Sequence, residues 1–418
     1  MLSVSVDIRR KLTAIVNKKA PHFLQPLTME DFYTVYWEKQ PLHIQRKEES
    51  RETMVDLATI ETLLSSQAVF FPGIQLTQTG KVISVSEYAD EQNRILPLRL
   101  FELYAQGATI VLSQAQKLFA PMDELCREVI RTMQMRCQAN IYVSPPGNQG
   151  FNAHYDTHDV FILQVSGAKT FNFYPSSVEL PCPEEGFDSS KLASGDIDES
   201  ISLSPGDTLY IPRGVVHDAV ADSKMPSIHV TLGVYPVLMR DMLQEAIQCM
   251  SERDCRMRQS IDSYMSLPVH GNPGCLQASL ASLMLDVRTF VDDPDNIKMF
   301  QARFHDELAI GASQDCRGLA DRIDAVLWSE GNLSEEDSPA VKSIRLRKDV
   351  LINAERRSEG IKIRTFGQIL EFDYPLAQTV GKLLDSGKLD KDELEELQTD
   401  QRIAVVKRLL HANLVELM

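Results

Sequence analysis

Two histidines and one aspartate carry the strongest chemical signal in this chain. His154 and Asp156 stand two residues apart in NAHYDTHD (152–159). In an extended segment, residues i and i+2 point to the same side, so both can approach one metal ion. A third ligand has to come from elsewhere, and His217 is the candidate. It lies 61 positions after Asp156, directly behind LSPGDTLYIPRGVV, a strand closed by a Pro-Arg-Gly turn. Two imidazoles and one carboxylate on one face leave open coordination positions and suit non-haem Fe(II). No thiolate is present in the motif to favour structural zinc. A lone His-x-Asp arises by chance in many long chains. What gives this one weight is the strand that follows it and the distal histidine behind its turn. His158 shares the parity of His154 and Asp156. It is a competing ligand or a substrate contact, on a strand that is already leaving the metal.

Further residues follow from strand parity. Asn140, Tyr142 and Ser144 alternate along ANIYVS and share one side, the floor of a pocket if that side is the interior. Lys169 lies 13 residues after Asp156, at the start of KTFNFY. Its plain reading is a solvated hairpin lysine, and its other reading is a cation for a buried anion. His229 and Thr231 share a face of HVTLGV and can both border the pocket. We expect a structural role for His229. Arg213 and Asp218 flank His217 and read as exposed loop charges.

Elements of the right kind surround these residues. From about 67 to 240, short apolar runs alternate with Gly, Pro and Asn, the texture of an all-β barrel or sandwich. VFILQV-SGA-KTFNFY reads as a hairpin, with Gly167 in its short loop. A helical stretch near 114–136 interrupts the strands. Residues 1–66 look mostly helical, with a polar break at 46–52, and FYTVYWEKQPLHIQ (32–45) reads as a helix stopped by Pro41 and followed by a short strand. Residues 241–310 are helical again. The last hundred residues mix strand candidates (SIRLR, GIKIRTF) with helices that include DELEEL and QRIAVVKRLLHANLVELM.

Composition narrows the function classes. The 418 residues carry a formal charge of −16, which argues against a broad nucleic-acid or anionic-membrane surface. The seven cysteines are scattered without a CxxC pair, as in a protein kept reduced. No run approaches the ~18 apolar residues of a membrane span. The first twenty residues lack the apolar stretch of a signal peptide. A cytoplasmic protein is the expectation.

Four blocks of the sequence resemble the JmjC/cupin-type ribosomal oxygenase family, which includes a bacterial ribosomal-protein arginine hydroxylase and eukaryotic ribosomal-protein histidine hydroxylases. They are YWEKQPLHI (36–44), ANIYVSPPGNQGFNAHYDTHDVFILQVSGAKTFNFYP (139–175), SLSPGDTLYIPRGVVHDA (202–219) and SIHVTLGVYP (227–236). The resemblance implies a mainly β fold with α additions. An N-terminal helical segment (1–66) would precede a double-stranded β-helix, the cupin/JmjC jelly roll, over 67–240. A helical dimerisation region (241–310) and a winged-helix-like C-terminal domain (311–418) would follow. It further implies Fe(II) on His154, Asp156 and His217, with 2-oxoglutarate and O2 as cosubstrates. By the same resemblance Lys169 pairs with the distal carboxylate of 2-oxoglutarate. The resemblance also places Asn140 beside the cosubstrate and Tyr142 beside the substrate side chain; strand parity adds Thr231 to the first and Ser144 and His158 to the substrate pocket. The reaction would hydroxylate a protein or peptide side chain, foremost an arginine or histidine of a ribosomal protein. The partners would be that substrate and a second copy of the chain, with neither nucleic acid nor membrane.

Other readings differ in what they require. A non-catalytic cupin binding or assembly module would break a ligand or cosubstrate position, and all four are intact. A metal-cupin enzyme without a cosubstrate has no use for Lys169. An oxygenase acting on a natural-product peptide shares every feature above. Lysine demethylation would call for a methyl-ammonium cage, which nothing in the sequence favours.

Overall fold

The structure is a computed structural model that describes residues 20–46, 55–66, 70–192, 195–260, 273–312, 343–347, 350, 352–365 and 368–418. The chain divides into two compact units, residues 1–236 and 237–418.

The first unit is built on two antiparallel sheets. The larger has the order β1-β8-β5-β10-β4-β3-β2. Its strands are β1 (Leu42–Ile44), β2 (Ile74–Thr77), β3 (Thr109–Leu112), β4 (Arg136–Ser144), β5 (Asp159–Ser166), β8 (Thr208–Ile211) and β10 (Ser227–Tyr235). The smaller sheet joins β6 (Lys169–Phe173), β7 (Glu199–Leu203) and β9 (His217–Ala221) in the order β7-β6-β9. The alternation of side chains decides what each face does. On β4, Ala139, Ile141 and Val143 face outward into the main core; on β10, Ile228, Val230, Leu232 and Val234 do the same. That core is closed by the helix Ala120–Met133, whose Met122, Leu125, Val129 and Met133 recur at helical spacing. The helix carries a proline in its first turn and ends on Gln134 in the left-handed conformation, φ 57°.

Strand β5 is buried on both faces. Phe161 and Leu163 join the main core, while Val160 and Ile162 meet Phe171, Phe173, Leu203, Leu209 and Ile211 in a second cluster. This corrects the expected hairpin. β5 pairs with β8 and β10, whereas β6 pairs with β7 and β9 of the other sheet. The SGA link is a corner between sheets. Gly167 turns it at φ 64°, and a Cβ there would sit 2.1 Å from the Pro226 carbonyl oxygen. Period-two alternation is the same for a hairpin and for two strands facing each other across a core, so the pattern could not separate them.

Residues 20–46 and 55–66 belong to this unit. Phe23, Leu24, Phe32, Ile60 and Leu64 are part of its core, and β1 extends the larger sheet beside β8. The helix expected to run up to Pro41 is shorter, a single turn at Met29–Asp31 that widens over Phe32–Tyr36, and the short strand expected after Pro41 is β1. Trp37 stacks on Tyr210 of β8 at 5.7 Å. The expected polar break at 46–52 falls mostly outside the described residues.

In the second unit, helices Met239–Arg253, Pro273–Asp292 and Pro294–Ala312 precede two small sheets. One is β12 (Asn353–Arg357), β13 (Gly360–Thr365) and β14 (Gln368–Asp373); the other is β11 (Ile344–Leu346), β15 (Lys388–Leu389) and β16 (Val415–Leu417). Helices Leu376–Ser386 and Thr399–His411 complete a core that includes Ile344, Phe372, Val380, Leu383, Val405 and Leu409. The last segment, expected as one helix, stops at His411 and ends in β16. No helix of the described residues is long and apolar enough to cross a membrane.

Candidate metal centre and its pocket

Along β4 and β10 the inward face of the larger sheet is polar, while its outward face is apolar. Asn140, Tyr142 and Ser144 of β4 point the opposite way from Ile141 and Val143, as do His229, Thr231 and Tyr235 from the apolar residues of β10. His229 is the rung partner of Tyr142, and Thr231 that of Asn140. The three proposed ligands converge beside this face. His154 and His217 form an isolated antiparallel bridge, with each backbone N–H donating to the other's carbonyl at 2.9 and 2.8 Å. The bridge sets the two imidazoles side by side, ring centroids 4.7 Å apart. One ligand atom from each of His154, Asp156 and His217 lies within 4.8 Å of the others.

The ring nitrogens are already sorted. His154 Nδ1 lies 2.8 Å from the Asn152 carbonyl and His217 Nδ1 3.0 Å from that of Val215. A carbonyl only accepts, so Nδ1 carries the proton in both rings and the Nε2 lone pair remains for a metal. Burial, and then the neighbouring His154, hold the pKa of His217 below its ordinary value and favour the neutral ligand form. This donor set fits a divalent ion that takes nitrogen and oxygen ligands.

The third ligand is positioned from beneath. Gly214 N–H donates to the Asp156 carbonyl at 2.9 Å. The turn holding Gly214 is fixed by Arg213, which pairs with Asp159 at 3.0 Å and Glu38 at 2.6 Å. Tyr210 donates to the same Asp159 at 2.7 Å. Asp218 accepts from Asn172 at 2.8 Å and from Tyr174 at 2.7 Å. Arg213 and Asp218, expected as exposed loop charges, are therefore buried, at 6% and 8% exposure. Sequence position beside a turn gave no sign of their partners, which lie 44 to 175 residues away.

Lys169 is 4% exposed, and its amine donates to Ser144 Oγ at 3.1 Å. Thr109 of β3 also reaches Ser144 Oγ, at 3.1 Å. Among the described residues Lys169 has no acidic partner, and burial drives its pKa down to about 7. A buried ammonium that lacks a counter-charge among the described residues suits an anionic ligand. Ser144 thus sits with Lys169. Asn140 Oδ1 accepts from the Gln114 N–H at 3.0 Å and from Gln138 at 3.1 Å. His158 is not among the clustered ligand atoms. Its ring stacks on Tyr235 at 4.9 Å, over Gly233, where a Cβ would come within 2.8 Å of it. Phe151 lies 5.6 Å from His154 and 6.2 Å from Tyr142, ring to ring.

Sequence reasoning missed Thr109, Phe151 and Tyr235. Tyr235 shares the parity of His229 and Thr231, so the period-two argument could have found it. Thr109 carries no such signal, because only sheet pairing brings β3 beside β4.

Residues 112–242 match the model of the JmjC domain family. The chain is 28% identical over 254 residues to the bifunctional lysine-specific demethylase and histidyl-hydroxylase NO66 of Drosophila persimilis, covering 59% of this chain and 37% of that protein. To the protein of the same name from Aedes aegypti it is 31% identical over 221 residues, 51% of this chain and 34% of the other. The chain spans about a third of the length of these curated relatives. Among solved structures, Escherichia coli YcfD aligns with a TM-score of 0.54 at 15% identity, over 94% of this chain and 98% of that one. The ribosomal oxygenase YcfD in complex with cobalt and 2-oxoglutarate aligns over the same shares with a TM-score of 0.52, also at 15% identity. At that identity the likeness establishes the fold.

Proposed function

The chain belongs to the JmjC/cupin-type oxygenase family, and we propose that it is an Fe(II)- and 2-oxoglutarate-dependent oxygenase that hydroxylates a protein or peptide side chain. The observation that carries this reading is the conjunction of two sites between the two sheets. Three candidate metal-ligand atoms cluster within 4.8 Å, and a buried lysine with no acidic partner among the described residues lies on β6 of the smaller sheet. When bound, iron and 2-oxoglutarate supply the oxidative decarboxylation of the cosubstrate to succinate and CO2, with one oxygen atom of O2 passing to a substrate C–H. The residues of this chain do the rest. His154, Asp156 and His217 hold the ion, with both imidazoles oriented by backbone carbonyls. Lys169, supported by Ser144, pairs with the distal carboxylate of the cosubstrate. Asn140 and Thr231 border that subsite. Tyr142, His158 and Tyr235 form an aromatic wall that orients the substrate side chain and excludes water.

The favoured substrate is an arginine or histidine side chain of a ribosomal protein, in a reducing, cytoplasmic setting. The resemblance of the four sequence blocks supports this, and the net charge of −16 suits a basic partner. We also propose a homodimer through the helices of residues 239–312, where Met239 is 84% and Leu285 63% exposed. Light scattering checks it: the expected mass is twice the 47.1 kDa of one chain.

The test of the oxygenase is to incubate the chain with Fe(II), 2-oxoglutarate and ascorbate, with and without a ribosomal-protein extract. Succinate is quantified and a single added oxygen sought by mass spectrometry. We expect succinate from the wild type and background levels from His154→Ala, Asp156→Ala and His217→Ala, each with metal content near zero. Absence of wild-type turnover would sink the oxygenase reading. Unchanged turnover in His154→Ala would sink the ligand assignment.

A further inference from the structure

The block YWEKQPLHI (36–44) supplies none of the residues proposed to bind metal, cosubstrate or substrate, yet it grips the strand that leads to two of the ligands. β8 runs into the turn of residues 212–215 and from there to His217. β1 pairs with the edge of β8 that β5 leaves open. At the start of β8, Asp207 is buried. It accepts from the Arg46 N–H at 3.0 Å, and His43 Nε2 lies 3.1 Å from its other oxygen. Glu38 stands at the opposite end. Phe32 and Trp37 pack on the Tyr210 ring at 5.0 and 5.7 Å, which brings the next residue over the end of the strand. There the Glu38 N–H donates to the Tyr210 hydroxyl oxygen at 2.9 Å, and its carboxylate reaches Arg213 at 2.6 Å. Glu38 has φ 57°, a conformation that residues with side chains keep only where contacts hold it.

The contacts of Arg213 explain what this grip can do. One nitrogen, Nη1, serves both carboxylates, Asp159 at 3.0 Å and Glu38 at 2.6 Å. Nη1 carries two hydrogens. A carboxylate on each fixes the plane of the guanidinium, whereas one alone leaves it able to turn about that contact. The backbone just beyond Arg213 then meets two ligands. Gly214 N–H donates to the Asp156 carbonyl at 2.9 Å, and the Val215 carbonyl faces His217 Nδ1 at 3.0 Å.

We infer that Glu38 is a positioning residue for the metal centre. Through Arg213 it sets the turn that aims Asp156 and His217, so the N-terminal segment completes a site to which it gives no ligand. The inference rests on the ligand assignment above and adds to it. Groups that orient ligands without touching the ion tune its affinity and its geometry. A plain structural account competes: Glu38 would then stabilise the fold just as His43 does at the other end of the same strand. The two accounts differ at the ion. A positioning residue changes the coordination geometry in a folded chain, and a stabilising one does not.

The experiment uses the full chain and Co(II) alone. Calorimetry gives the Co(II) affinity, the visible absorption bands report the coordination geometry, and urea unfolding gives stability. Glu38→Ala leaves Arg213 paired with Asp159, so no buried charge is stranded. We expect this variant to weaken Co(II) by roughly tenfold or more, the loss for a group that supports a ligand, and to shift the visible bands. Glu38→Gln keeps an oxygen acceptor for Nη1 and recovers most of the affinity. His43→Ala lowers the urea midpoint and leaves Co(II) affinity and bands as in the wild type. Unchanged Co(II) binding and bands in Glu38→Ala, no recovery in Glu38→Gln, or the same loss in His43→Ala overturns the role and leaves the structural account. If Glu38→Ala does not fold, Glu38→Asp replaces it, a carboxylate with shorter reach; bands identical to the wild type then overturn the role. Wild-type protein that binds no Co(II), or binds it equally well as His217→Ala, overturns this inference together with the ligand assignment. Binding that is lost in His217→Ala and intact in Glu38→Ala overturns this inference alone.

Discussion

At the residue scale, Lys169 is where burial and charge are in sharpest conflict. Its ordinary pKa of 10.5 falls to about 7 because desolvation penalises the ammonium and no acidic side chain among the described residues compensates. The sign of the resulting pH dependence follows directly. The folded state binds this proton more weakly than the unfolded chain does, so from about 7 to 10.5 the Lys169 contribution makes the ligand-free protein more stable as pH rises. Binding of a dicarboxylate runs the other way, because it requires the ammonium. Calorimetry across that range should show 2-oxoglutarate affinity falling by up to about tenfold per pH unit above the lysine pKa, with proton uptake on binding. Lys169→Met should abolish the pH dependence and most of the binding, while leaving the melting temperature at pH 7 equal or higher. A melting temperature that drops would place Lys169 among the structural groups instead.

At the scale of elements, two of the proposed metal ligands depend on one turn, whose Gly214 N–H donates to the Asp156 carbonyl and whose Val215 carbonyl faces His217 Nδ1. Arg213, Asp159, Glu38 and Tyr210 form a buried charged group at the junction of β5, β8 and the segment before β1. Burial raises the Asp159 pKa, and Tyr210 and Arg213 oppose that rise. Removing Arg213 leaves the fully buried Asp159 without its cation, so Arg213→Ala should cost about 3–5 kcal/mol in urea unfolding. The same change frees the turn whose Gly214 N–H holds Asp156. Metal affinity should fall by roughly 10- to 100-fold, as it does when groups supporting a ligand are removed. Metal binding unchanged in a folded Arg213→Ala protein would separate this cluster from the site. None of these pairings was legible beforehand. His154, Asp156 and His217 could be proposed from types and spacing, because parity along an extended chain is a local property. The buried state of Arg213 and Asp218 could not, because it depends on strands far away in sequence. The corner at Gly167 escaped for a related reason: alternation reports which side chains share a face, and not which strand lies opposite.

At the scale of the whole molecule, charge is the property that reaches furthest. With 59 acidic against 43 basic side chains, the chain repels polyanions and attracts basic peptides over distances set by the ionic strength. If the substrate is a basic ribosomal-protein segment, kcat/KM should fall roughly tenfold or more between ~20 mM and ~0.5 M salt. Turnover of 2-oxoglutarate without substrate should change much less. Equal salt sensitivity of both rates would place the charge effect at the cosubstrate. The proposed metal ligands, Lys169 and the aromatic residues proposed to face the substrate all lie within residues 1–236, so the proposed chemistry belongs to one unit.

The sequence by itself determined the identity and parity of the donor residues, because backbone geometry makes i and i+2 neighbours on one face wherever a strand forms. It also determined the strand-rich character of the region around them and the acidic surface. Only the tertiary structure decided that β5 and β6 lie in different sheets, that Ser144 and Thr109 stand with Lys169, and that His229 is buried with Nδ1 unpaired among the described residues. Those outcomes are set by which strands pair and by what burial leaves unsatisfied. Both are properties of residues distant along the chain.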